Sequence, residues 1–120
     1  MTSSRSYRDL IVWKKSINLV TRIYNCTSSF PREEKFGITS QMRRAGTSIP
    51  ANIAEGQARH GKKEFLQFLS IAQGSLAELE TFLIISKNLD FLTEASLKEL
   101  LTDCEEIAKL LYSLKRSLNS

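Results

Sequence analysis

Basic side chains are the residues of this sequence whose types and spacing best suit a chemical task. They fall into two groups: Arg43 and Arg44 form one, and the other consists of Arg59, His60, Lys62 and Lys63. Forked and flexible cations of this kind suit phosphate groups, and they contact nucleic acids without reading the base sequence. No aromatic residue interleaves with the second group, so base stacking is not indicated there. A solvated surface, a nucleic-acid contact and an acidic protein partner all fit these six residues.

A second polar pattern is expected on the same helix as Arg43 and Arg44. Its members recur every three or four residues, which places them on one helix face: Gln41, Arg44, Ser48, Asn52, Glu55 and Arg59. Ser75 and Glu78, on the following helix, are spaced to face this polar stripe. The pattern fits either an ordinary solvated face or a structural polar network that fixes helix register or subunit contacts.

Residue sets that support catalysis or metal binding are missing from the sequence. His60 is the one histidine, so the Glu-x-x-His pairs of helix-bundle metal sites cannot form. There is no Gly-rich phosphate loop and no nucleophile elbow. Cys26 and Cys104 fall on apolar stripes, which is typical of small buried hydrophobic residues. We therefore expect no enzyme activity, no metal and no cofactor.

Composition and charge narrow the class of protein further. The chain has 120 residues, 42% of them hydrophobic and 25% charged, which fits one globular domain. It has no run of about 18 apolar residues and no secretory signal, so we expect a cytoplasmic protein without a membrane partner. Residues 1–63 carry 12 Lys/Arg against 4 Asp/Glu, whereas residues 64–120 carry 5 against 9. This asymmetry favours an acidic partner such as RNA or DNA, or mutual attraction between protomers.

Helical periodicity extends over nearly the whole chain. We predict four helices, over about residues 9–28, 32–57, 62–87 and 93–118. Residues 1–8 are expected to form a flexible tail, and 9–118 a single bundle. Because the connections are short, the prediction is an all-α, antiparallel up-down-up-down four-helix bundle.

Local signals mark the ends of these helices. Ser6 or Asp9 is suited to cap the first helix, and Pro31 suits the first position of the second. Asn88 is positioned to end the third helix in a left-handed conformation, and Thr93 to cap the fourth.

Pro50 lies inside the second predicted helix. It removes one backbone hydrogen bond and is expected to kink the helix between Gly46 and Pro50. Two shorter helices meeting there are the alternative. One kinked helix is favoured because the apolar stripe continues through the proline.

The first and third helices carry more apolar residues than one core-facing stripe needs. The first has two sets side by side: Leu10, Trp13, Ile17, Val20 and Tyr24, then Val12, Leu19, Ile23 and Cys26. The third includes the run Phe-Leu-Ile-Ile at residues 82–85, which cannot all face one core because successive positions point about 100° apart. Gly74, in mid-helix, costs about 1 kcal/mol relative to Ala and suggests close approach of another helix. We expect the protein to form a homo-oligomer, since contiguous apolar patches usually mark interfaces.

Several segments resemble the bacterial four-helix-bundle proteins encoded in intervening sequences of 23S ribosomal RNA genes. They include Ser-Ile-Pro-Ala-Asn-Ile-Ala-Glu-Gly at 48–56, the run at 63–80, the segments 30–37 and 40–45, and Leu-Ile-Val-Trp-Lys-Lys at 10–15. The resemblance implies a bundle that assembles into a ring, a pentamer. A distant relative is similar to a basic pentameric barrel, an accessory protein of diversity-generating retroelements that binds nucleic acid and a reverse transcriptase. The family often has Ser where this chain has Gly61, which weakens capping of the third helix.

These patterns favour a non-catalytic homo-oligomeric scaffold that binds RNA or DNA phosphates through the six basic residues named above. The alternative is a protein–protein interaction adaptor with no nucleic-acid role, in which Arg43 and Arg44 pair with acids of a neighbouring subunit. The number five for the subunits comes from the resemblance alone.

Overall fold

The computed structural model describes residues 6–120, and within them the chain is all-α and strand-free. Four long helices, named α1 to α4, are α1 Ile11–Thr27, α2 Ile38–Ala58, α3 Lys62–Asn88 and α4 Glu94–Asn119. Two single-turn 3₁₀ helices, Tyr7–Asp9 and Arg32–Glu34, precede α1 and α2. The expected all-α class and the four helices are confirmed.

The core is built from one apolar stripe on each helix. Sequence neighbours pack together, and α1 also packs against α4, so each helix has two flanking partners. Between α2 and α3, Met42 contacts Ser86 while Gly56 lies against Phe68, so residue numbers rise on one helix as they fall on the other. The largest fully buried side chains include Leu19, Ile23, Met42, Ile49, Ile53, Leu69, Leu79, Leu83, Ile107 and Leu111. The up-down-up-down order of the whole bundle stays a prediction.

The buried face of α1 comes from the second of its two apolar sets together with two hydroxyl residues. It consists of Val12, Ser16, Leu19, Ile23 and Thr27. The Ser16 and Thr27 hydroxyls donate to the Val12 and Ile23 carbonyls, each at 2.7 Å, which satisfies them within the core. Ile17 and Tyr24 of the first set are left exposed.

The second helix begins later than its sequence predicted. Instead of starting at residue 32, the chain makes the 3₁₀ turn Arg32–Glu34, and α2 begins at Ile38. Glu34 Oε1 accepts the Ile38 amide at 3.3 Å, so this carboxylate satisfies an N-terminal amide of the helix from outside it. The displaced start leaves Phe36 in the connecting turn.

Pro50 is buried inside α2, which runs without interruption from Ile38 to Ala58. The chain therefore uses one helix here and not two shorter ones. A bend between Gly46 and Pro50 stays a prediction.

Three further termini test the local signals. Thr93 caps α4 as predicted, its hydroxyl accepting the Ser96 amide at 3.1 Å. The left-handed residue after α3 is Asp90, with φ of 64°, and not Asn88, because α3 continues through Asn88. Ser6 caps the first 3₁₀ helix and not α1, which has no side-chain cap.

The flexible tail predicted over residues 1–8 falls mostly outside the described residues, since 1–5 are not among them. Tyr7 belongs to the first 3₁₀ helix, and its ring meets Trp13 edge-on at 5.2 Å between ring centres. The ring contact attaches this turn to the start of α1.

The length and composition of α3 would allow it to cross a membrane, with a mean hydropathy of 1.4 over 18 residues. Core helices of soluble proteins pass the same test. Five apolar side chains of α3 are buried in the bundle: Leu69, Ala72, Leu76, Leu79 and Leu83. These contacts agree with a core helix, and the lack of a membrane partner stays a prediction.

Candidate nucleic-acid interface

The six basic residues singled out in the sequence lie in two separate places. Arg43 and Arg44 lie in the first half of α2, whereas Arg59, His60, Lys62 and Lys63 surround the turn between α2 and α3. Sixteen residues of helix separate Arg43 from Arg59, a rise of about 24 Å. The second set is called the turn group below. A single short ligand therefore cannot contact both places.

The turn group contains one paired cation and three open side chains. Arg59 Nη2 lies 2.8 Å from Glu55 Oε2, and its guanidinium lies over the Phe68 ring, 5.1 Å from the ring centre. His60, Lys62 and Lys63 are exposed. The two lysines precede Glu64 in the first turn of α3, and neither is in an ion pair of the described chain.

Arg43 is held in place by the end of α1. Its Nε donates to Thr27 Oγ1 at 2.9 Å and its Nη2 to the Tyr24 carbonyl at 3.4 Å. The guanidinium also lies over the Tyr24 ring, 4.4 Å from the centre. A cation beside the last carbonyls of a helix is stabilised by the helix dipole. Arg43 is thus half-buried, oriented, and left with its Nη1 donors directed to no carboxylate among residues 6–120.

Around Arg43 the structure forms a groove that the sequence did not reveal. We name it the aromatic–basic groove and define it by Tyr24, Lys35, Phe36, Arg43 and Arg44. Its volume is about 310 Å³, and hydroxyl residues complete the lining: Thr39, Ser40 and Thr47. A second groove of about 400 Å³ adjoins it and shares Lys35, Thr39 and Arg43. No acidic side chain lines either one.

The cations of α1 differ from those of the groove because they are neutralised within the protomer. Lys15 lies 3.1 Å from Glu106, and Arg22 lies 2.5 Å from Asp103. The pocket between α1 and α4 is lined by these same pairs. The surface of α1 facing α4 is therefore balanced in charge.

The predicted polar stripe becomes a smaller network. Ser48 Oγ and Ser75 Oγ lie 2.8 Å apart, and Asn52 Nδ2 donates to the Ser48 carbonyl and hydroxyl at 2.8 and 2.9 Å. These three half-buried residues join α2 to α3. Glu55 instead pairs with Arg59, while Gln41 and Glu78 are exposed. The network fixes the position of α2 on α3 and offers no open donor set for chemistry.

Both cysteines are free thiols with little tendency to ionise. Burial raises the pKa of Cys104 to about 12, with the negative charge of Glu80 adding to the effect. Burial also raises the pKa of Cys26 to about 11, against the lowering influence of Arg43. Among residues 6–120, no group of three or more His, Cys, Asp or Glu side chains is arranged to hold a metal ion.

Comparison with known proteins gives two findings. Residues 8–113 match the protein family described as 23S rRNA-intervening sequence protein. A crystal structure from Bacteroides thetaiotaomicron, of a protein with unknown function from the S23 ribosomal protein family, is 30% identical with a TM-score of 0.79. The similarity covers 88% of this chain and 98% of that one. No curated protein matches the chain.

Proposed function

Because this chain belongs to the 23S rRNA-intervening sequence protein family, we propose that it is a non-catalytic, self-associating helical scaffold that binds RNA or DNA phosphates. The turn group and the aromatic–basic groove supply the positive charge. The proposed setting is the cytoplasm, with no cofactor and no membrane partner. The proposed assembly is a homo-oligomer, a pentamer by family resemblance.

The observation that supports phosphate binding is the set of cations without a carboxylate partner that the turn group and the aromatic–basic groove bring together. The four ion pairs of residues 6–120 use Lys15, Arg22, Arg59 and Lys87. In the turn group and the aromatic–basic groove, five cations have no carboxylate of the described chain within 4 Å: Lys35, Arg43, Arg44, Lys62 and Lys63. Unpaired cations grouped along one helix and its flanking loops create the positive potential that attracts a polyanion.

Self-association is supported by the outward face of α3. Ile71, Ile84 and Ile85 are exposed there, each within about 80° of Gly74 on the helix surface. A Cβ added at Gly74 would meet no atom within 4 Å, so nothing in the protomer accounts for a mid-helix glycine. Exposed isoleucines around a position without a side chain suit the close packing of a helix from a second copy.

The test is binding of the full-length chain to labelled single strands of unrelated sequence, measured by fluorescence anisotropy over a range of salt concentrations. We expect affinity to fall steeply with salt, since each phosphate contact releases counterions. Lys62→Glu with Lys63→Glu should weaken binding about equally for every sequence and lower the salt slope by about one per lysine.

The matched control is Lys98→Glu with Lys109→Glu, two exposed lysines of α4 that are in no ion pair of the described chain. It changes net charge by the same amount, so it should weaken binding much less if contacts are local. Light scattering on the same samples measures assembly, expected near five times 13.6 kDa. Absence of nucleic-acid binding at low salt, with assembly intact, would refute the phosphate role.

That outcome would favour the second candidate, a protein–protein interaction adaptor with no nucleic-acid role. The exposed isoleucines of α3 are the observation in its favour, because an apolar face can receive another protein as well as a second copy. In this case Arg43 and Arg44 would pair with acids of a neighbouring subunit.

A further inference from the structure

Phe36 is the most exposed large hydrophobic residue among residues 6–120, with 90% of its surface accessible. It lies in the turn before α2, between the half-buried Glu34 that accepts the Ile38 amide and the start of the helix. The Lys35 ammonium lies over its ring, 5.5 Å from the centre. The protomer therefore presents an aromatic ring to solvent with a cation beside it.

Tyr24 supplies a second aromatic surface in the same groove. It is partly exposed, and Arg43 covers one side of its ring while being anchored to Thr27. The guanidinium is therefore in a fixed position before any ligand arrives, which reduces the loss of conformational freedom on binding. Rings alternating with oriented cations are the arrangement by which proteins hold single-stranded nucleic acids.

The charges around the groove leave it open to an anion. No acid lines it, and the nearest acids along the chain are Glu33 and Glu34 of the 3₁₀ turn. Glu34 Oε1 is directed to the Ile38 amide, so this carboxylate already has a donor. Lys35 and Arg44 are exposed and unpaired in the described chain, and they flank the rings.

We propose that the aromatic–basic groove is a binding site for single-stranded RNA or DNA, in which a base stacks on Phe36. Lys35, Arg43 and Arg44 contact the phosphates on either side. The adjoining groove, which shares Lys35 and Arg43, continues the path for the next nucleotide. Duplexes are excluded from this stacking because their bases are already stacked on one another. The inference rests on the proposed nucleic-acid role and specifies the kind of strand and the site.

Phe36→Ala is the direct test, because the ring packs little against the protomer and its loss should leave folding intact. We expect affinity for a single-stranded oligonucleotide to fall about tenfold, the size of one lost stacking contact. Duplex binding and the salt slope should stay unchanged, since no phosphate contact is removed. Phe36→Trp should retain binding.

Tyr112→Ala is the matched control. Tyr112 is 59% exposed on α4 and also lies beside a cation, with Arg116 5.8 Å from its ring centre, but it is outside the groove. Its loss should leave single-strand affinity unchanged. An abasic oligonucleotide of equal length provides a second control. The wild type should bind it about tenfold more weakly than it binds the base-containing strand. Phe36→Ala and the wild type should bind the abasic strand with equal affinity, because it has no base to stack. RNA and DNA strands are measured separately to distinguish the two sources of bases.

The outcomes separate this inference from the proposed function. Wild-type binding that Phe36→Ala does not change would overturn the stacking site and leave the phosphate role standing. Failure of the wild type to bind any strand would overturn both. If Phe36→Ala instead lowers the mass measured by light scattering, the ring contacts another copy of the chain and the stacking site is wrong.

Discussion

Gly56→Ala is expected to destabilise the bundle although alanine is the better helix former. Gly56 is buried near the end of α2, where it lies against α3. A Cβ placed on it would lie 2.7 Å from the Phe68 Cβ and 3.0 Å from the Phe65 Cδ1. The Phe68 Cβ is attached directly to the α3 backbone, so only a shift of the helix can relieve this contact.

The expected magnitude follows from two opposing effects. Replacing glycine by alanine in a helix favours folding by up to about 1 kcal/mol. Overpacking in a well-filled interior costs about 1–3 kcal/mol, and carbon atoms prefer a separation of roughly 3.5–4.0 Å. With the full gain from alanine subtracted, we expect a net loss of up to about 2 kcal/mol in the free energy of unfolding, or up to roughly 8 °C in Tm.

Gly74→Ala is the matched control, because the same substitution meets no atom within 4 Å on α3. It should stabilise the protomer by about 0.5–1 kcal/mol. Urea denaturation followed by circular dichroism measures both variants. Two protein concentrations tenfold apart separate any effect on association, which alone depends on concentration. If Gly56→Ala does not lower stability at either protein concentration, the close contact between α2 and α3 at Gly56 is wrong.

Two predictions concern ionisable groups. Since the pKa of Cys104 is about 12 and that of Cys26 about 11, iodoacetamide at pH 8 should modify neither in the native protein and both after unfolding, counted by mass spectrometry. Burial, and then the charge of Glu105, raises the pKa of Glu80 above its usual value of 4.5. The folded state therefore binds this proton more tightly than the unfolded state does. Stability is lost as the pH rises from 4.5 through the raised pKa of the folded state. Glu80→Gln should therefore be more stable than wild type at pH 7, with the difference closing towards pH 4 in urea titrations; an equal difference at both pH values would contradict this.

Helix type and number could be predicted because apolar spacing at 3.6 residues per turn reports directly on burial. The buried face of α1 was harder to predict. A search for apolar spacing treats Ser16 and Thr27 as polar residues. Both nevertheless lie in the core, because each hydroxyl donates a hydrogen bond to the carbonyl one turn earlier. Because Ser16 and Thr27 lie on the buried face of α1, Ile17 and Tyr24 face outward.

The start of α2 shows the limit of local rules. Pro31 followed by two glutamates is a good N-terminal signal, and the chain does make a helical turn there. The longer helix nevertheless begins at Ile38, whose amide donates to the Glu34 carboxylate. A three-residue 3₁₀ helix and an α-helix share these start signals, and only the side-chain contact distinguishes them.

The aromatic–basic groove could not be inferred from the sequence because its parts are distant along the chain. Tyr24 and Arg43 are brought together by the packing of the end of α1 on α2, and Phe36 enters only because α2 starts late. The sequence identified Arg43 and Arg44 by type. It placed them apart from the turn group, about 24 Å away along α2. It did not place Tyr24, Lys35 and Phe36 beside them, because spacing along the chain does not show which residues of different elements share a surface.

The two proposed surfaces occupy different parts of the protomer, and this allows them to act together. The exposed isoleucines lie on the outward face of α3, whereas the groove lies where α1 ends and α2 begins. If copies associate through α3 without covering the groove, the assembly presents several grooves at once. One long strand can then enter several grooves, and after the first contact the others bind at a high effective concentration. A modest stacking contact in each protomer is therefore enough for tight binding by the assembly, without any site that reads sequence.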